Sequence, residues 1–399
     1  MYELGEWLDD HAEGFLWYVK RLSGNDTLAN GSHQAGVYLP KPVFFRLFPQ
    51  LEQKTGDNAD AWFELVIDSH PDARNARVVW YNNKLRGGTR DEVRVTNLGG
   101  GSSALLDPDS TGALVVFAFR QGATGQADSC HVWVCRDGVE EDAVEREVGP
   151  VEPGQWILWP PDGSFLHLLA QRVRADCYLA AHELPPEWLV KFPTGQEIIR
   201  KVIELRPDST LSVDKRLMRR RDCEFELFQS LEEAVELPRA KAGFTTIAGF
   251  LTAAQTVLQR RKARSGKSLE YHMREILLEE QFREGRDFTF QPKVGGNPDF
   301  VFPSEAAYAD QSFPRQRLRM LAVKTTIKDR WRQVTEECPD LPVRHLLTLQ
   351  EGVSEAQFRL IRSAGIQLVV PEQRIEKYAK GLRPEIITVE SFIADVRTS

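Results

Sequence analysis

Asp299, Lys324 and Glu337 are the residues of this chain best suited to phosphodiester chemistry. They occur in Pro298-Asp299-Phe300-Val301-Phe302, in Leu321-Ala322-Val323-Lys324, and at the end of a segment running from Lys328-Asp329-Arg330-Trp331-Arg332 to Glu336-Glu337. Hydrolysing a phosphodiester calls for a hard cation held by carboxylate oxygens, and for an ammonium that stabilises charge and orients the attacking water. Side chains alternate along a strand, so a second carboxylate would most simply sit two positions before Lys324. That position is Ala322. A helical segment beginning near Asp329 offers Glu337 in its place. On such a helix Arg330 and Glu337 lie about 20° from the same face and about 10 Å apart along the axis, so reading and cutting groups would face one groove. The plainer account of Asp299 and Lys324 is an ion pair buried at a strand edge.

Two kinds of element must position these groups. Asp299 to Phe302 and Met320 to Val323 are apolar runs suited to buried strands. They belong to a second half in which helical segments around 187–204, 214–237, 244–262 and 267–284 precede alternating strands and helices, the pattern of an α/β domain. The first half is different. Short β-like runs (Phe63 to Ile67, Ala76 to Tyr81, Ala113 to Phe119, His131 to Cys135, Gln155 to Trp159) are separated by Gly, Asp and Asn clusters, which suits a barrel or sandwich. Pro185-Pro186 interrupts the chain where the strand pattern fades. The expected division is a domain over 1–175, a linker over 176–186 and a second domain over 187–399.

Composition narrows the partners. With 399 residues, 42% apolar and 27% charged, the chain is long enough for two cores and is neither disordered nor fibrous. No run approaches the roughly 18 apolar residues of a membrane span, and the start lacks the basic region of a signal peptide, so a cytoplasmic protein is expected. The net charge of −7 is unevenly spread: residues 1–180 carry 16 Lys+Arg against 26 Asp+Glu, the remainder 35 against 32. Positive charge is densest in Arg219-Arg220-Arg221 and Arg260-Arg261-Lys262-Ala263-Arg264, and a local basic surface is enough for phosphate binding. Five cysteines, of which only Cys130 and Cys135 are close in sequence, argue for a reduced protein without a disulfide framework. Zinc held by Cys130, His131 and Cys135 lacks the second cysteine pair of a structural site. Gly266-Lys267-Ser268 has Arg261 where a phosphate-binding loop needs its first glycine, which excludes nucleotide hydrolysis of that type; Lys267 is left as a candidate DNA contact.

The acidic strand end, the lysine strand end and an acid displaced to the following segment together resemble the PD-(D/E)xK nuclease superfamily, in the branch where the second carboxylate has migrated out of the strand. Within that branch the chain is similar to the EcoRII-type restriction endonucleases along its whole length. The matching runs include Lys20-Arg21-Leu22-Ser23-Gly24-Asn25-Asp26-Thr27, Asp107-Pro108-Asp109-Ser110-Thr111-Gly112, Arg264-Ser265-Gly266-Lys267-Ser268-Leu269-Glu270, Met320-Leu321-Ala322-Val323-Lys324-Thr325-Thr326 and Leu349-Gln350-Glu351-Gly352.

The resemblance implies an N-terminal β-pseudobarrel (B3-like) DNA-binding domain and a C-terminal α/β PD-(D/E)xK endonuclease domain. The implied activity is that of a homodimeric type II restriction endonuclease, cutting double-stranded DNA at a CCWGG-like site with Mg2+. A companion DNA methyltransferase would act on the same site. Asp299 and Glu337, with Glu270 in addition, would hold the metal; Lys324 and Tyr308 would contact the scissile phosphate. Lys328, Asp329 and Arg330 would read G·C pairs, since Arg and Lys donate to guanine while Asp accepts from cytosine N4. Arg221 and Phe225, four apart on one helix, would sandwich an extruded central base. Lys20, His33, Lys84, Arg90, Glu92 and Arg94 would bind an effector copy of the site. Gly88 and Val93 stand where the family pattern has basic residues. Two other readings stay open: a repair-type nuclease of relaxed specificity, and a DNA-binding regulator on an inactive nuclease fold.

Overall fold

The computed structural model describes residues 3–31, 36–53, 56, 58–159, 177–328 and 330–398. His33, Asp329 and the chain from 160 to 176, which includes the end of the expected first domain, lie outside the described residues.

Among the described residues the first half forms an eight-stranded sheet: β1 (Phe15–Arg21), β2 (Val37–Leu39), β3 (Asp60–Ile67), β4 (Asp72–Tyr81), β5 (Glu92–Thr96), β6 (Leu114–Gln121), β7 (Ala127–Val134) and β8 (Trp156–Trp159). The strand order is β2-β5-β4-β3-β7-β6-β1-β8, antiparallel except for β3 and β7. The edges curl toward each other. Near one edge Tyr18 of β1 donates its hydroxyl to the Tyr38 carbonyl of β2 at the other (3.1 Å), and Asp26 accepts the Tyr38 N–H (2.7 Å). Side-chain alternation then divides the sheet. On β7, Cys130, Val132 and Val134 enter the inner core with Phe63, Phe117 and Phe119, while Trp133 packs outside against helix α1 (Leu4–Asp10) and helix α3 (Gly138–Val148). Helix α2 (Lys41–Leu47) closes one end of the inner core with Val43, Phe44 and Leu47. Five of the eight strands coincide with sequence-expected runs. β1, β2 and β5 were not expected as strands: charged residues (Lys20, Arg21, Glu92, Arg94) mask the apolar alternation of β1 and β5, and β2 is only three residues long.

The second half begins with helices α4 (Pro186–Val190), α5 (Gly195–Leu205), α6 (Val213–Ala242) and α7 (Ile247–Glu279). α5 starts in a capping box in which Thr194 and Glu197 satisfy each other's backbone N–H groups. A five-stranded sheet follows, β9 (Thr289–Phe290), β10 (Phe300–Phe302), β11 (Arg319–Val323), β12 (Arg344–Leu347) and β13 (Ile366–Val369), in the order β13-β12-β11-β10-β9. β9 to β11 pair antiparallel; β11 to β13 pair parallel. Both faces are covered, as a parallel sheet requires. Met320 and Ala322 of β11 face the side that carries α8 (Glu305–Ala309), α9 (Trp331–Val334) and α10 (Glu355–Ser363). Leu321 and Val323 face α6, α7 and the C-terminal helix α12 (Val389–Thr398), with α11 (Glu372–Ile375) in the connection between them. Among the described residues, no hydrophobic cluster mixes apolar residues from before 160 with apolar residues from after 176, so each half has its own core.

Two expectations are corrected. Helices expected over 244–262 and 267–284 are one continuous α7, which runs through Ser265-Gly266; a Cβ at Gly266 would meet open space, and burial of Leu269, Met273, Ile276 and Leu277 outweighs the roughly 1 kcal/mol that a helical glycine costs. The cysteines are not all free either. Cys177 is disulfide-bonded to Cys223 on α6, 46 residues away, because the segment that begins at Cys177 packs back against α6.

Candidate active site

The sheet brings the expected acid and base together. In the antiparallel register Phe300 faces Leu321, so Asp299 and Lys324 emerge at one end of the β10–β11 pair. Asp299 Oδ2 accepts the Val323 N–H (2.6 Å) and lies 3.3 Å from Lys324 Nζ. Lys324 Nζ is also 3.9 Å from Glu337 Oε1, so one ammonium stands between two carboxylates. Ala322, fully buried against the α8–α10 side, leaves no room there for the acid that Glu337 replaces.

Glu337 arrives by a different route from the expected one. α9 is a single turn, Trp331–Val334, and Glu337 follows it in a turn whose N–H bonds the Val334 carbonyl (3.2 Å). The helical argument relating Arg330 and Glu337 therefore does not apply. The turn is tied down when Cys338, at φ +45°, donates its N–H to the Gly295 carbonyl (2.6 Å). Gly296, at φ +78°, packs so close that a Cβ would sit 2.8 Å from the Glu336 carbonyl.

Glu270 of α7 completes an acidic group. It is 5% exposed, accepts from Gln291 Nε2 (2.9 Å), and is touched by Lys267 at 3.1 Å on both oxygens. Burial and neighbouring negative charge both act on these carboxyls. Burial, then the Asp299 charge, raises the Glu270 carboxyl above its usual range. Burial pushes Glu337 up to about 7, with Lys324 opposing and Asp299 and Glu270 adding to the rise. Glu337 Oε2 is buried with no hydrogen-bond partner among the described residues. Three neighbouring carboxylates, one with an orphaned oxygen, offer the oxygen donors that a hard divalent cation takes, and such an ion would offset both the repulsion and the unmet acceptor.

The other expected residues divide. Tyr308 is not brought to this group: its ring is buried in the core beside Cys338, and its hydroxyl lies 3.5 Å from Asp340. Arg330 is exposed at the start of α9, whereas Lys328 donates Nζ to the Cys135 carbonyl of the barrel half (2.7 Å). Arg221 and Phe225 do share a face of α6, but Arg221 is buried in ion pairs with Glu224 (3.1 Å) and with Glu152 of the barrel half. Phe225 is half-buried under the Arg264 guanidinium, 5.3 Å from its ring. Sequence inspection missed Glu152, since nothing in Val151-Glu152-Pro153 marks an interdomain acid.

In the barrel half Lys84 is exposed, and Arg90 stacks 3.6 Å over Tyr81 while bonding Glu92 (2.8 Å). Arg94 is held by Glu92 and by the Asn25 and Gly36 carbonyls. Lys20 is buried on Asp26 (2.7 Å). Val93 is fully buried in the inner core, so a basic residue has no place there in this chain. Lys20, Glu92 and Arg94 line a cavity of about 430 Å³ whose opposite wall is Glu351, Arg374 and Lys377 of the second half.

A B3-like barrel joined to a mixed sheet with a carboxylate–lysine–carboxylate group at its strand ends defines a two-domain PD-(D/E)xK nuclease. Family models described as "Restriction endonuclease EcoRII, N-terminal" and "EcoRII C terminal" match residues 11–163 and 228–393. The chain is 39% identical to the type II restriction enzyme EcoRII of Escherichia coli over 98% of its own length and 96% of that protein's. It belongs to the EcoRII family of type II restriction endonucleases. It is also 25% identical to the type II restriction enzyme SsoII of Shigella sonnei over 34% of this chain and 46% of that protein. Among solved structures, metal-depleted Ecl18kI in complex with uncleaved, modified DNA aligns with 55% of this chain and 84% of its own, at 15% identity and a TM-score of 0.44.

Proposed function

We propose that this chain is a cytoplasmic, Mg2+-dependent homodimer that cleaves double-stranded DNA at a CCWGG-like site, protected in its host by a methyltransferase of the same specificity. Asp299, Glu337 and Glu270 would hold the ion, and Asp299 is oriented for this by the Val323 N–H. When bound, the cation supplies charge neutralisation and a more acidic water. Lys324 holds its ammonium between Asp299 and Glu337, where it can meet a phosphate oxygen and orient the attacking water. Arg330, with Lys328 and Asp329, reads G·C pairs, and two copies related by a two-fold axis read both halves of a nearly palindromic site. Arg221 and Phe225 receive the extruded central base.

The barrel half binds a second copy of the site through Lys20, His33, Lys84, Arg90, Glu92 and Arg94. In the arrangement described here it restrains the nuclease, because Cys135 and Glu152 engage Lys328 and Arg221, two residues the target DNA needs. Effector DNA releases them, which couples two distinct sites.

The observation that carries this reading is the convergence of Asp299, Lys324 and Glu337 around an unpartnered carboxylate oxygen. Digestion of plasmid DNA with Mg2+, followed by sequencing of the fragment ends, tests it. One short recurring sequence at the ends, and no cutting by Lys324→Ala or Asp299→Ala protein, is the expected result. Scattered ends would favour the relaxed nuclease, and binding without cutting the inactive regulator.

A further inference from the structure

A second group of metal-ligating side chains stands on the outer face of the barrel, apart from the nuclease carboxylates and from the effector-binding residues. His11 follows α1, Asp68 follows β3, and His131 lies on β7. The parallel register of β3 and β7 pairs Val66 with His131, and Asp68 donates its N–H to the Val132 carbonyl (2.9 Å), so the strands hold these two residues side by side. One ligand atom from each of His11, Asp68 and His131 lies within 4.8 Å of the others.

The details of this group suit a cation. His11 Nδ1 lies 2.7 Å from the Trp7 carbonyl, which can only accept, so the Nδ1 proton is fixed there and the lone pair is left on Nε2. His131 Nδ1 is 2.9 Å from Asp68 Oδ2, an oxygen that also accepts from Trp7 Nε1 (2.8 Å), which leaves Oδ1 for a further partner. A histidine that ligates a metal generally spends its other ring N–H on a carbonyl or carboxylate, as His11 does here, while His131 Nδ1, beside Asp68, is the nitrogen placed to share an ion with that carboxylate. The His131 and Asp68 side chains are 32% and 20% exposed, which gives an ion a way in.

We infer that His11, Asp68 and His131 form a binding site for a divalent transition-metal ion such as Zn2+, which ties α1 to the ends of β3 and β7. Two imidazoles and one carboxylate favour zinc, nickel or copper over magnesium. Zinc at its usual bond lengths needs ligand atoms about 3.3 Å apart, so side-chain rotation closes the site on binding. The cysteines flanking His131 are not part of it. Cys130 points to the inner core, where strand alternation sends it, and burial raises both the Cys130 and Cys135 thiols well above their ordinary range.

The test uses the full chain, stripped with chelator, equilibrated with zinc and dialysed, with bound metal measured directly. Asp299→Ala/Glu337→Gln/Glu270→Gln protein, which lacks the three proposed nuclease ligands, should retain one equivalent of zinc and melt a few degrees higher with zinc than without. The same protein carrying His131→Gln should retain none and lose the shift, while its melting in chelator verifies that it folds. Cobalt in place of zinc should give visible bands without the near-ultraviolet thiolate band. Failure of the His131-competent protein to retain zinc, retention after His131→Gln, or a thiolate band would each overturn the proposal, and none of them bears on the nuclease site.

Discussion

Lys328 of the nuclease half donates its ammonium to the Cys135 carbonyl of the barrel half at 2.7 Å, so a residue proposed to read bases is occupied by the other domain. The same interface buries Arg221 and Arg264 on Glu152, and brings Gly24 so close to the nuclease half that a Cβ there would collide with the Lys377 carbonyl.

Loosening this interface from the barrel side should therefore activate the enzyme. Glu152→Gln removes the charge that holds two buried guanidinium groups, and Gly24→Ala forces the backbones apart. Each variant is expected to cut DNA carrying a single site about 5- to 150-fold faster, the usual span of a coupling energy of about 1–3 kcal/mol, while two-site DNA is cut at nearly the parent rate. Timed digests of one-site and two-site plasmids make the comparison. Parent-like rates on one-site DNA for both variants would refute restraint through this contact.

The nuclease group makes a separate prediction. Lys324→Ala removes the only ammonium found beside Asp299 and Glu337 among the described residues, and should lower the single-turnover rate by at least about 10²–10³-fold, as loss of one preorganised electrostatic group does. DNA binding in Ca2+, followed by gel shift, should stay within a few-fold of the parent. Tyr308→Phe should cut normally, since its hydroxyl faces Asp340 rather than the carboxylates. A Tyr308→Phe protein as slow as Lys324→Ala would return the tyrosine to the site.

How much of this was legible in the sequence depended on how local each signal was. The unbroken apolar run Met320-Leu321-Ala322-Val323 marks a strand buried on both faces, and the charged residues at strand ends follow from it. Glu337 was legible as an acid within reach but not as a turn residue, because the short α9 is ended by tertiary contacts of Cys338 with Gly295 rather than by any stop signal. The motif carrying Tyr308 gave its distance from Asp299 along the chain but not the direction of its ring. The Cys177–Cys223 pairing and the Glu152–Arg221 contact join residues 46 and 69 positions apart, and no periodicity spans such separations.

The Glu337 carboxyl sets a pH dependence. Its folded pKa of about 7 lies above the ordinary 4.5. Below the lower value both folded and unfolded states are protonated and the residue is neutral in its effect. As pH rises the unfolded chain ionises first, so the metal-free protein loses stability between the two values, and the loss levels off above the higher one. In chelator, Glu337→Gln should thus melt close to the parent at about pH 5 and progressively above it toward about pH 8. Binding of Mg2+ to the parent should strengthen across the same interval and release protons, because the ion needs the carboxylate form. Melting curves with calorimetric Mg2+ titrations at several pH values check both signs. A parent that gains stability over Glu337→Gln as pH rises in chelator would contradict the assignment.

Asp26 offers the sharpest stability test in the barrel half. Its carboxylate is fully buried and accepts from Lys20 Nζ, Ser23 N, Ser23 Oγ and Tyr38 N, each at 2.7 Å, so it fixes the β1 arm against β2 where the sheet curls shut. Removing one partner of a buried pair leaves the other charge unpaired, which costs about 3–5 kcal/mol. Asp26→Ala should lower barrel stability by that order, while Asp26→Ala/Lys20→Met, which removes both charges, should recover a large part of it. The barrel and nuclease halves have separate cores, so urea unfolding followed through barrel tryptophans such as Trp17 and Trp133 reports the loss with the nuclease half still folded. Lys20 is also a proposed effector contact, so the double variant should remain weak in effector DNA binding after its stability returns. Recovery of both properties together would show that Lys20 serves the fold alone.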